Sequence, residues 1–121
     1  MIDLKYELDL VPMVINRSVV TIYSTKNFLD WLNYIRGSDV SLGLNDIEPI
    51  SFLIMDFDDM IEFEHWLELN YDLIFKIRLN YSCIDKSIWP QVRTLNIFKE
   101  WFEVKFSNLI LDLEDEPIKI I

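Results

Sequence analysis

Residues 2 to 10 alternate without a break: Ile2, Leu4, Tyr6, Leu8 and Leu10 are apolar, with Asp3, Lys5, Glu7 and Asp9 between them. A period of two places those apolar side chains on one face of a strand. Pro12 interrupts the pattern. Val14-Ile15 and the β-branched run Val19-Val20-Thr21-Ile22-Tyr23 then predict a second strand. Ser24 or Thr25 suits the N-cap of a short helix, in which Phe28, Leu29, Trp31, Leu32 and Ile35 recur at helical spacing and which Gly37 stops. A polar loop from Ser38 to Pro49 leads into Ile50 to Met55, a continuous apolar run expected to form a buried central strand.

Asp59 and Glu62 make a capping-box pattern, in which each side chain satisfies a backbone N–H of the first turn. Beyond them, Phe63, Trp66, Leu67, Ile74, Ile77 and Tyr81 fall on one helical face. Glu62, His65, Glu68, Asp72 and Lys76 fall on the opposite one. This predicts a long amphipathic helix from about Asp59 to Tyr81. Ser82 to Arg93 reads as a connection with Trp89-Pro90 as its rigid point, because the residue before a proline is steered away from helix. Thr94 can cap a third helix carrying Leu95, Phe98, Trp101 and Phe102. Val104 to Leu113 returns to extended character, and Glu114-Asp115-Glu116-Pro117 precedes a short apolar tail.

The order is strand, strand, helix, strand, helix, helix, strand. Long helical connections between strands predict an α+β fold, with α/β as the alternative: two layers, a three- to four-stranded sheet covered by about three helices. Whether the sheet is parallel or mixed is left open. Residues 1–121 are expected to form one domain, with 1–13 as a possible strand extension and 114–121 as a C-terminal tail. Barstar-like inhibitors share a loosely similar order and acidity, an analogy of architecture that does not fix function.

Charge narrows the functional classes. With 21 acidic and 11 basic residues the net charge is −10. That works against binding nucleic acid or an anionic membrane and favours a basic protein partner. The longest apolar runs, such as Phe52-Leu53-Ile54-Met55, are far too short to span a bilayer. The start of the chain lacks the basic-then-apolar order of a secretory signal. One cysteine, Cys83, excludes an intramolecular disulfide. Together these predict a cytoplasmic protein.

Several segments carry a family resemblance. They are Phe28-Leu29-Asp30-Trp31-Leu32-Asn33, Phe57-Asp58-Asp59, Trp66-Leu67-Glu68, and Asn70-Tyr71-Asp72 with Ile74-Phe75. The last third adds Trp89-Pro90, Arg93, Trp101-Phe102, Val104, Phe106 and Asp112-Leu113 with Asp115-Glu116-Pro117. In these motifs the chain resembles a family of small, uncharacterised bacterial cytosolic proteins, over roughly residues 16 to 118. The resemblance implies a bacterial, single-domain protein and brings no activity with it. The family often carries Phe-His-Ser where this chain has Phe106-Ser107-Asn108, which weighs against histidine chemistry at Ser107.

Candidate chemistry is sparse: one histidine, one cysteine and two glycines. No catalytic constellation and no cofactor is predicted. Asp56, Asp58 and Asp59 stand where a strand runs into a helix. Such carboxylates can hold a hard cation such as Mg²⁺, though capping and the helix dipole require the same residues there. His65 lies among acidic residues on the predicted solvent face, without the further ligands a zinc site needs. Cys83 has no evident activating base and reads as a half-buried structural residue. Asn70, on the apolar face, is expected to tie its helix to a neighbouring backbone.

The leading expectation is therefore a non-enzymatic protein-interaction or regulatory domain. Its predicted partner-binding residues are Glu64, Glu68 and Asp72 on the acidic stripe, plus a partly exposed Trp89 beside Arg93. The alternatives are a small metal-dependent enzyme using Asp56, Asp58 and Asp59, and a structural homo-oligomer pairing through the strand Ile2 to Leu10.

Overall fold

β-branched residues take the middle of the sheet. In β1 (Ser18–Ser24), Ser18, Val20 and Ile22 point inward and are buried, while Val19, Thr21 and Tyr23 face the other way. β2 (Ile50–Ile54) and β3 (Phe102–Ser107) flank it, both antiparallel, in the order β2-β1-β3. The register sets Val20 between Phe52 and Phe106, so one apolar row crosses all three strands. The computed structural model describes residues 13–121. The strand expected over Ile2 to Leu10 lies outside them.

Three helices cover the inward face: α1 (Lys26–Arg36), α2 (Met60–Ser82) and α3 (Leu95–Trp101). The fold is α+β, with two layers and an all-antiparallel sheet. Among the described residues, no helix is long and apolar enough to cross a membrane.

The helix ends follow from local chemistry. The Asp59 carboxylate accepts from the Glu62 N–H at 2.9 Å, and the Thr94 hydroxyl accepts from the Ile97 N–H at 3.2 Å. Only half of the capping box closes at Asp59, since the Glu62 carboxylate accepts instead from the Asp58 N–H at 3.4 Å. Gly37 ends α1 in the left-handed conformation, φ +58°, which a side chain rarely adopts. Thr25 starts α1 but does not cap it. Its hydroxyl donates to the Glu100 carbonyl at 2.6 Å and its N–H to the Trp101 carbonyl at 2.9 Å, tying α1 to the junction of α3 and β3.

Three sequence expectations are corrected. β2 is an edge strand, because the order β2-β1-β3 puts β1 in the middle; along it Ile54 is buried while its neighbours Leu53 and Met55 stand in solvent. Phe102 opens β3 instead of closing α3, so that its ring enters the core from the sheet. Val14-Ile15 does not share a strand with residues 19–23, since β1 begins at Ser18. Val14 makes a single antiparallel bridge to Leu111, with flanking bonds from the Ile15 N–H to Ile110 and from the Asp112 N–H to Met13.

The core is dominated by aromatics. Phe28, Phe75, Phe98 and Phe102 are buried, and Trp31 and Trp101 pack at their edge with centroids 5.8 Å apart. Phe75 meets Phe98, Trp101 and Phe102 at 5.4–5.8 Å, which fixes α2 against α3 and β3. This contact also turns α2. Its first half buries Phe63 and Leu67, as the spacing predicts. Its second half buries Ile74, Phe75, Arg78 and Leu79, leaving Ile77 outside the core cluster and Tyr81 in solvent.

Candidate functional site

The acidic stripe of α2 runs along the border with α3 and the following connection, and those segments bring cations to it. Glu64 pairs with Lys99 of α3 at 3.2 Å. Asp72 accepts from Arg93 Nε and from Lys76 Nζ, each at 2.9 Å. Burial raises the Asp72 pKa, but the hydrogen bonds and charges of Lys76 and Arg93 outweigh it and hold the carboxyl below its ordinary value. Glu68 alone of the three is exposed and has no ion-pair partner among the described residues.

Trp89 and Arg93 do not form the exposed pair expected of them. Trp89 is 7% exposed, and its indole N–H donates to the Cys83 carbonyl at 2.8 Å. The proline after it extends the backbone and turns the ring inward, where it closes the connection on the core. Arg93 is half-buried. Besides Asp72 it holds the Pro90 carbonyl at 2.7 Å, and its own carbonyl accepts from the Tyr71 hydroxyl at 3.3 Å. Both residues fasten the connection to α2.

The remaining candidates are dispersed. Asp59 caps α2, Asp58 is exposed, and Asp56 accepts a long 3.4 Å bond from the Ser18 hydroxyl. Among the described residues no three His, Cys, Asp or Glu side chains are gathered so as to hold a metal ion, so the Asp56/Asp58/Asp59 site is not assembled. His65 is exposed on α2. Cys83 is half-buried and sits 3.7 Å from the Asp85 carbonyl. Asn70 bonds back to the Trp66 carbonyl at 2.8 Å within its own helix. The expected tie to a neighbouring backbone is not found among the described residues; half-buried, the amide is satisfied within its own helix.

Two features emerge that the residue patterns alone did not single out. The first is an apolar ridge on the outer side of α2. Trp66, Leu69, Leu73, Ile77 and Tyr81 follow one another at spacings of three or four, so each is the surface neighbour of the next. Leu69 is 74%, Leu73 58% and Tyr81 78% exposed, and Trp66 and Ile77 are half-buried. α2 is thus apolar on two sides, one in the core and one outward.

The second feature is a cleft of about 410 Å³ between the end of α2 and the start of β2, lined by Glu48, Pro49, Ile50, Ser51, Arg78 and Tyr81. Arg78 is 8% exposed. Its guanidinium lies 4.6 Å above the centre of the Phe28 ring, and Nη1 donates to the Ser82 hydroxyl at 3.0 Å. Nε is buried with no hydrogen-bond partner, and burial pushes the pKa of the group down. No carboxylate among the described residues pairs with it. The signal was present in the sequence: at helical spacing Arg78 falls about 20° from Leu67, a cation on the apolar face.

No family model, curated protein or solved structure matches the chain.

Proposed function

We propose that the chain is a non-enzymatic protein-interaction module of the bacterial cytoplasm, regulatory or inhibitory in effect, that docks its partner on the outer face of α2. The ridge Trp66-Leu69-Leu73-Ile77-Tyr81 carries this reading. Isolated exposed leucines are ordinary on protein surfaces, but a contiguous apolar row over four turns is the mark of a contact surface. Glu62, exposed, stands one turn before Trp66 at the head of the row, whereas Glu68 lies about 160° round the helix from it. With a net charge of −10, this favours a partner segment with a matching apolar row and a basic end that meets Glu62. Glu64 and Asp72, already paired with Lys99 and Arg93, add little to such docking. A second copy of the chain fits less well, because two chains of net charge −10 repel each other.

Capture from native lysate, with the wild type compared against Leu69→Glu/Leu73→Glu and against Glu62→Lys, tests the proposal. Tyr34→Ala, an exposed apolar position on α1, serves as the control. The expected result is a basic protein kept by the wild type and the control and lost from both α2 variants. Identical capture by all four baits would overturn the proposal. A dimer in solution that Leu73→Glu dissociates would replace it with self-assembly.

A further inference from the structure

The geometry points to a binding site for a small monocarboxylate with an apolar body, seated in the cleft between α2 and β2 with its carboxylate on Arg78. A buried guanidinium without a counter-charge is costly, and buried unpartnered donors are rare in folded proteins. Here one face of the group is occupied by Phe28 and Nη1 by Ser82, while the Nε–Nη2 edge has no protein partner among the described residues. Nε is enclosed, whereas Nη2 is neither enclosed nor bonded among the described residues, so Nη2 is the charged donor left for a carboxylate oxygen in the cleft.

The rest of the cleft sets the class of ligand. Pro49, Ile50 and Tyr81 supply an apolar wall, and about 410 Å³ is within the size range of small-molecule sites. Among the described residues Arg78 is the single cation lining it, and Glu48 shares the wall. A dianion such as phosphate would therefore be left with uncompensated charge in an already acidic molecule, whereas one negative charge on an aryl or alkyl body is matched. The Ser51 hydroxyl is engaged with Thr21 at 2.8 Å and is not needed for this recognition.

Titration of the labelled full chain with benzoate, followed at the Arg78 Nε–Hε resonance, tests the site. Saturable movement is expected, with acetate at least about tenfold weaker because it lacks the apolar body. Arg78→Lys should weaken binding by about tenfold or more, because an ammonium does not place a donor where the guanidinium Nη2 stands. Because that change touches the core, two exposed positions carry the test independently. Glu48→Gln should tighten benzoate binding about threefold by removing a like charge, and Tyr81→Ala should weaken it by about the same factor. The site is refuted if benzoate gives no saturable shift, if neither exposed variant changes its affinity, or if inorganic phosphate binds as tightly as benzoate.

Discussion

Arg93 Nε donates to Asp72 Oδ1 at 2.9 Å, joining the connection after α2 to the middle of that helix across 21 residues of sequence. The same guanidinium holds the Pro90 carbonyl, so one side chain fixes both the path of the connection and its distance from α2. Arg93→Ala should therefore destabilise the protein by about 1–2 kcal/mol in urea unfolding. The smaller end of the range is expected because Asp72 is more than a third exposed and solvent screens the pair.

The pair also fixes an acid dependence. The folded-state pKa of Asp72 is lowered, so its stabilisation is complete above the ordinary value of 3.8 and is lost as the pH falls through the lower folded-state value. Asp72→Asn should remove this contribution. Its stability, relative to the wild type, should improve steadily as the pH drops below 4, measured by thermal unfolding across that window.

Trp89 and its bond to the Cys83 carbonyl predict a structural phenotype. Trp89→Ala removes a large buried ring and leaves that carbonyl without its donor, a loss of about 3–5 kcal/mol. Trp89→Phe keeps most of the packing and should cost about 1–2 kcal/mol. A substitution at Trp89 that left stability unchanged would contradict this placement.

Ser18 is fully buried, and its hydroxyl accepts from the Phe57 N–H at 3.1 Å, which joins the start of β1 to the turn leading into α2. Ser18→Ala strands that N–H and should cost about 1–3 kcal/mol, read from the urea midpoint. Ser18→Cys, with a weaker partner in nearly the same volume, should fall between Ala and the wild type.

What the sequence made legible followed from short-range patterns. The caps at Asp59 and Thr94, the stop at Gly37 and the spacing of Phe63 and Leu67 are decided within a few residues, and all are found in the structure. What was hidden depends on residues far apart in the chain. Lys99 and Arg93 neutralise Glu64 and Asp72 only because α3 and the connection pack beside α2. β2 is an edge strand because β1 takes the middle by pairing with β3 as well, a long-range pairing that no run of apolar residues can reveal. The packing of Phe75 against Phe98 and Phe102 shifts the buried side of the second half of α2 and leaves Tyr81 outward, while Arg78 stays on the buried side where its spacing from Leu67 puts it. Thus the helix end that reads as ordinary core in the sequence carries the outward ridge on one side and the cleft on another.

Site-specific photo-crosslinking in living cells tests the docking face most directly. A photoreactive residue placed at Leu69 or Leu73 is compared with the same residue at Tyr34 and Val92, which are equally accessible but lie off the ridge. The expected result is a discrete adduct with one basic protein from positions 69 and 73, absent from 34 and 92 and abolished by Glu62→Lys. Adducts of equal yield from all four positions, or none from 69 and 73, would contradict the assignment of the outer face of α2 as the contact surface.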